Sequence, residues 1–309
     1  MTASVLTDWD DAKTGTFRKA VTPARHALHE HPAFSDDALA ELIDRRPRDM
    51  TDICTMGDDP SDQDSWRGGE RGNATGAQLM EAVRAGKLWI NLRHAMSDDP
   101  VYAPLFRQLF DELKAKNPGY APVRSYGGIL ISSPKAQVFY HADVSETLLL
   151  HVKGRKRFRI YPAERPWLTD RSMEDILHFV AAEDVPYDAA WDADAWTKDM
   201  EPGDFVSWPL HAPHRVENIG GLNVSVTVEV VTRDSLMKNA VLHANGALRR
   251  MGWTPRSNAV KGPQALAKLA VSRGWKLYRS LRPVTMPRSE VTFDVDVAAE
   301  TGFRDRAAV

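Results

Sequence analysis

The spacing of apolar residues changes twice along this 309-residue chain. Up to about residue 120 they recur at helical intervals. Residues 35–44 open on Ser35, a good N-cap, followed by Asp36 and Asp37, which suit the positive end of a helix dipole. Further helices are expected over 75–85 and 101–116. Residues 56–76 are rich in Gly, Asp, Ser and Asn with no apolar period, and read as a long loop: a plain or disordered surface segment, or a lid.

From 122 to 232 the period falls to two. Short β-like segments at 124–132, 137–141, 147–152, 155–161, 204–208, 214–218 and 222–231 are separated by Pro, Gly and Asp, with a helix inserted at 171–182. Many short strands with such punctuation predict a mainly β core, a double-sheet jelly roll or barrel, with helical flanks. Helical spacing returns at 236–251 and 264–281, and 290–297 is strand-like. The expected organisation is a helical flank with a long loop (1–121), a β core (122–232) and a helical, basic C-terminal region (233–309).

Alternation assigns faces within the core. On 155–161 it puts Arg155, Arg157 and Arg159 on one side and Lys156, Phe158 and Ile160 on the other. Lys156 then points inward, where an ammonium is costly without a counter-charge. A bound carboxylate would supply one; snorkelling to water is the alternative. On 222–231, Asn223, Ser225, Thr227 and Glu229 oppose Leu222, Val224, Val226, Val228 and Val230, so the polar row lines either a cavity or the outer surface.

The chemistry-bearing residues sit in this region. His141 and Asp143 are two apart, so on a strand both side chains can aim at one ion. A third candidate, His214, lies downstream. Two histidines and a carboxylate occupy one face of a metal and leave other positions open, the ligand set of non-haem Fe(II) oxygenases. His211, three residues before His214, competes for the third position, while His151, His178 and His243 read as core or surface histidines.

Composition narrows the alternatives. Lys plus Arg (40) nearly balance Asp plus Glu (42), so global charge does not argue for nucleic acid, a membrane surface or a polyanionic substrate. Cys54 is the only cysteine, which excludes an intrachain disulfide and any multi-cysteine metal site and fits a reducing compartment. An acidic N-terminal segment and the lack of a long apolar run predict a cytoplasmic protein without a membrane anchor. Gly68-Gly69-Glu-Arg-Gly72 lacks the G-K-[ST] of a phosphate loop, and neither G-x-S-x-G nor H-E-x-x-H occurs.

In Phe139-Tyr-His141-Ala-Asp143, Leu148-Leu-Leu-His-Val-Lys-Gly154-Arg-Lys156-Arg-Phe-Arg-Ile-Tyr-Pro162, Glu201-Pro-Gly-Asp204, Trp208-Pro209 and His214-Arg-Val216-Glu-Asn218, the chain resembles the JmjC and cupin-like family of Fe(II)- and 2-oxoglutarate-dependent oxygenases. The resemblance implies a double-stranded β-helix, with His141, Asp143 and His214 as iron ligands and catalytic centre. It implies Lys156 as partner of the distal carboxylate of 2-oxoglutarate, and Thr147 and Tyr140 as further cosubstrate contacts. The reaction it implies is hydroxylation of a protein or peptide side chain, with a small-molecule substrate and demethylation as the other outcomes. Val138 and Thr147 stand where relatives often place other polar groups, and Glu229 where an amide is more usual.

Two other readings use the same residues. A zinc- or manganese-dependent cupin enzyme would share the ligands but has no need of an inward lysine. A non-catalytic regulatory protein would use residues 249–288, which carry Lys and Arg but neither Asp nor Glu, to bind DNA or another anion. Such runs are more often solvated helix faces, so nucleic acid is not favoured. Leu266, Leu269, Ala270, Leu277 and Leu281 give the last helix an apolar face ringed by Lys268, Arg273, Lys276, Arg279 and Arg282. That face is expected either to form a homodimer, as related oxygenases do through helices after the core, or to pack on its own barrel.

Overall fold

The last core strand decides how the layers stack. In a computed structural model, which describes residues 4–180, 185–281 and 290–307, Val224, Val226, Val228 and Val230 enter the main hydrophobic core, while Ser225, Thr227 and Glu229 face the opposite side. Each fully buried aliphatic side chain of this row stabilises by roughly 1.5–3 kcal/mol.

The N-terminal stretch runs α1 (Asp11–Thr16), β1 (Thr22–Arg25), α2 (Asp36–Arg45), β2 (Thr51–Thr55), β3 (Arg67–Glu70), α3 (Gly76–Ala85), β4 (Trp89–Leu92), α4 (Ala95–Asp98) and α5 (Ala103–Lys116). Ser35 caps α2 as its sequence suggests, and Thr75 caps α3 in a capping box with Gln78. The core follows with β5 (Arg124–Ser132), β6 (Gln137–His141), β7 (Glu146–Ile160), α6 (Asp170–Leu177), β8 (Trp196–Met200), β9 (Asp204–Ser207) and β10 (His214–Val231). Then come α7 (Arg233–Arg250), α8 (Pro263–Ser280), β11 (Val291–Val295) and β12 (Phe303–Asp305). No helix among the described residues is long and apolar enough to cross a membrane.

The strands form one hydrogen-bonded network in the order β1-β9-β7-β10-β5-β4-β2-β3-β11-β12, with β6 added to β10 and β8 to β7. β7 and β10 are long enough to serve two sheets. The first half of β7 and the second half of β10 lie in the major sheet; their other halves, with β6 and β8, make the minor one. Both strands turn at the same place, where Gly154 has φ 79° and pairing slips between Asn218 and Val224. A Cβ on Gly154 would lie 2.6 Å from the Leu222 carbonyl oxygen, so the corner needs glycine for space as well as for dihedral angle. This is a jelly roll. Leu149 and Val206 of the major sheet pack against Phe158 and Val216 of the minor one, closing its interior.

Outside the major sheet, Leu39, Leu42 and Ile43 of α2, Leu79 and Val83 of α3, and Leu109 and Leu113 of α5 bury against the valine row and against Ile129, Ile131, Ile90 and Leu92. The N-terminal stretch is therefore not simply helical: β1 to β4 extend the major sheet. These strands are only four or five residues long, and β3 reads Arg-Gly-Gly-Glu, so their stability comes from neighbouring strands and not from a local pattern. Two pairs of expected strands, 147–152 with 155–161 and 214–218 with 222–231, are each one bent strand. The inserted helix ends at Leu177, and residues 181–182 of its expected span lie outside the described residues.

Segment 56–76 is not a free loop. Besides containing β3, it is fastened to β6: Gln63 Nε2 donates to the Tyr140 carbonyl at 2.9 Å, Gln137 Nε2 donates to the Gly57 carbonyl at 2.8 Å, and Trp66 packs edge-on against Phe139.

Candidate metal centre

β6 ends at His141 and β10 begins at His214, and their antiparallel register sets the two residues opposite one another. Their ring centroids are 4.1 Å apart. One local device fixes both rings: Nδ1 donates to the carbonyl two residues back, His141 to Phe139 at 2.7 Å and His214 to Ala212 at 3.1 Å. With the proton on Nδ1, each Nε2 keeps a lone pair. Asp143 turns towards both, with Oδ1 3.9 Å from His141 Nε2 and Oδ2 3.6 Å from His214 Nε2. Those separations are too long for good hydrogen bonds. They suit donors that share one ion, since two ligands each about 2.1 Å from a metal stand roughly 3 to 4 Å apart.

Among the described residues this is the one group of His, Cys, Asp and Glu whose donor atoms converge, all within 4.8 Å of one another. Burial pushes His214 down to about 4, so it is neutral at pH 7 and able to ligate. Trp208 and Phe158 pack on its ring, with centroids at 4.7 and 5.6 Å, and keep water from that side.

Lys156 lies on the same inner wall. Ile160 is level with His214 in the β7–β10 register, Phe158 touches the His214 ring, and Lys156 follows by alternation about 13 Å along the strand from Ile160. It is 4% exposed, with no hydrogen bond or ion pair to the described residues, and burial alone drives its ammonium down to about 7. It does not snorkel. A buried amine without a partner is poised for an anion that the chain does not supply.

The remaining expected residues divide. His211 stays out of the cluster: it has φ 69°, and its Nε2 donates to Asn239 Oδ1 at 2.7 Å while Asn239 Nδ2 holds the Val144 carbonyl at 2.7 Å. His151 is a core histidine, donating from Nε2 to the Gly154 carbonyl and accepting from Ser225 at Nδ1. Thr147 is on the inner face, opposite Glu229 in the register, with its hydroxyl on the Ser145 carbonyl at 3.3 Å. Tyr140 is not brought to the site. Adjacent to His141 on a strand, it points the other way, packs edge-on against Tyr161 and donates to the Trp167 carbonyl at 2.7 Å. Glu229 is exposed on the same face as Thr227, its carboxyl held above the usual range by partial desolvation and by the Asp143 charge. Asn239 carried no sequence signal for its place near the cluster, because it belongs to no ligand spacing, whereas Trp208 lies in the Trp208-Pro209 motif.

No family model and no curated protein sequence matches the chain. Solved structures do resemble it. YcfD from Escherichia coli is 17% identical with a TM-score of 0.51, the match covering 92% of this chain and 70% of that one. A structure described as YcfD, a ribosomal oxygenase from Escherichia coli, in complex with cobalt and 2-oxoglutarate is 15% identical with a TM-score of 0.50, covering 94% and 74%. At this identity the likeness establishes a common fold.

Proposed function

We propose that this chain is an Fe(II)- and 2-oxoglutarate-dependent oxygenase that hydroxylates a protein or peptide side chain. One observation carries the reading: two imidazoles and a carboxylate converge on one point, while an unpartnered lysine is buried on the same inner wall. The donor set is that of non-haem iron oxygenases. The orphaned lysine asks for a dicarboxylate, which a zinc or manganese cupin hydrolase would not need. The solved relative described as a ribosomal oxygenase with cobalt and 2-oxoglutarate supports both parts and points to a protein substrate.

Bound at His141, Asp143 and His214, iron with 2-oxoglutarate supplies the oxidation: dioxygen, cosubstrate and a substrate C–H group become succinate, carbon dioxide and an alcohol. The chain's own residues orient and exclude. The carbonyls of Phe139 and Ala212 hold the two imidazoles in the tautomer that leaves Nε2 free. The Lys156 ammonium would fix the distal carboxylate, and the Trp208–Phe158 wall keeps water from the His214 side. In this reading residues 122–232 carry the catalysis, 1–121 extend its sheet, and 233–309 supply docking helices. The cytoplasm suits ferrous iron and the free thiol of Cys54. Succinate release in air, dependent on both Fe(II) and 2-oxoglutarate, tests the chemistry; release with zinc alone would exclude it.

The C-terminal helices suggest a homodimer. α8 packs on α7 through Ala265 and Ser272, which leaves Leu266, Leu277 and Leu281 at 65%, 66% and 77% exposure. The apolar face expected of this helix is thus not covered by its own barrel. Sedimentation at micromolar concentration should show a dimer that Leu277→Glu dissociates, and a monomer throughout would reject it.

A further inference from the structure

The three candidate ligands are not held equally. His214 stands on β10 between two strands, opposite His141 of β6 and Ile160 of β7. Asp143 is followed by Val144, whose carbonyl Asn239 holds at 2.7 Å. Among the described residues β6 pairs with β10 alone, and that ladder is irregular between His214 and Val216, the step beside His141. An irregular step interrupts the hydrogen bonds that would fix a strand end. A metal site tolerates errors of only about 0.2 Å in its ligand distances, so β6 needs a further restraint at this end.

The restraint comes from the segment whose composition reads as a loop or lid. Gln63 Nε2 donates to the Tyr140 carbonyl at 2.9 Å and to the Val185 carbonyl at 3.1 Å. Both acceptors are backbone oxygens, so the amide must turn its NH2 towards them, and both of its protons are used. The Tyr140 carbonyl belongs to the same planar peptide unit as the His141 nitrogen. The His141 ring hangs in turn on the preceding carbonyl, Phe139, through Nδ1. Gln63 therefore fixes the backbone from which the imidazole is aimed. The rest of the segment keeps it there: Met56 and Trp66 pack with Ala136, Phe139 and Trp89, and Gln137, at the opposite end of β6, donates to the Gly57 carbonyl at 2.8 Å. We propose that Gln63 is a positioning residue for the metal ligand His141, and that residues 56–66 are a fixed clamp on β6 and not a lid. This rests on the metal centre of the oxygenase reading and adds to it a residue that belongs to no ligand spacing.

The clamp carries its own matched control, because Gln63 and Gln137 each tie it to β6 through one side-chain amide, one at the ligand end and one away from it. The test is Co(II) binding to the full chain, read as affinity by competition and as the visible ligand-field bands of the bound metal, without turnover. Gln63→Met keeps the length and removes the donor; Gln63→Glu keeps the shape and sets a carboxylate against two carbonyls. Either should weaken Co(II) by about tenfold or more, as for other outer partners of a ligand, and alter the bands of the metal that still binds. Gln137→Met loses a hydrogen bond of the same kind and should keep wild-type affinity and bands. Wild-type behaviour in both Gln63 variants would overturn the proposal. Equal weakening by Gln137→Met, or failure of both Gln63 variants to fold, would also overturn it by making the clamp a folding element only. A wild-type chain that takes up no Co(II) refutes the metal centre and the oxygenase reading with it, whereas uptake that ignores Gln63 refutes only this inference.

Discussion

Two pairs of imidazoles sit at the same spacing in this molecule and do different things. His141 and His214 are 4.1 Å apart, and so are His178 and His243 where α6, α7 and α8 meet. In the second pair the rings stack within 7° of parallel, His178 Nε2 donates to the His243 carbonyl at 2.7 Å, and His243 Nδ1 meets Ser272 Oγ at 3.0 Å. Cations dominate its surroundings: Arg250 beside both rings, Arg279 by His178 and Lys276 by His243, with the one acid near His178, Asp175, paired to Arg250 at 2.9 Å. Burial pushes His243 down to about 3. The first pair instead spends Nδ1 on the backbone, keeps both Nε2 atoms free and faces a carboxylate. Two histidines in contact therefore do not make a metal centre. Which nitrogen is left over, and the sign of the charge opposite it, do.

The sharpest way to break this comparison is to truncate one member of each pair. His141→Ala, Asp143→Ala or His214→Ala should cost more than about 100-fold in Fe(II) affinity, since even outer partners of a ligand are worth 10- to 100-fold. His178→Ala and His243→Ala should keep the iron content and lose roughly 2–3 kcal/mol of stability from the cavity and the broken hydrogen bonds. Metal analysis beside urea unfolding measures both. Iron loss in His243→Ala, or iron retention in His141→Ala, would undo the distinction.

Lys156 offers the next largest effect. Lys156→Ala should raise the 2-oxoglutarate requirement by at least about 30-fold while sparing iron, because losing one partner of a buried charged contact costs about 2–5 kcal/mol. A pH signature accompanies it. Pushed down to about 7 by burial, the folded lysine gives up its proton well below the unfolded value near 10.4. Between those values the unfolded chain binds more protons, so the stability of the metal-free protein should rise with pH across that window. Lys156→Met should flatten the rise, as should metal with 2-oxoglutarate. An equal slope in Lys156→Met would place the ammonium in contact with water.

His211 sharpens the comparison from within the same neighbourhood. It lies within three residues of a ligand, yet its Nε2 is committed to Asn239. His211→Ala should weaken iron by about tenfold at most, as for an outer partner, and much less than His214→Ala. The reverse order would reassign the third ligand.

The sequence carried the parts of this account that repeat a local rule. Alternation placed Lys156 inward and set the valines of β10 on the face opposite its polar row, and the two-residue step joined His141 to Asp143. It could not carry what long-range pairing decides. β3, with two glycines in four residues, is a strand only because β2 and β11 flank it. The continuity of β7 through Gly154 was hidden because a glycine in a strand reads as a stop. Tyr140 was assigned to the cosubstrate from resemblance although the alternation that aims His141 inward aims its neighbour outward. Asn239, from α7, holds the carbonyl of Val144 next to Asp143, with no spacing relation to the ligands.

The most direct test of the central claim is an anaerobic titration of the Fe(II)-loaded protein with 2-oxoglutarate, followed by visible absorption. A weak charge-transfer band should grow to saturation at one equivalent in the wild type and in His243→Ala. It should need far more 2-oxoglutarate in Lys156→Ala and be absent in His141→Ala. A wild-type protein that binds iron but develops no band, or a Lys156→Ala protein that saturates like the wild type, would contradict the joint assignment of the iron ligands and the buried lysine.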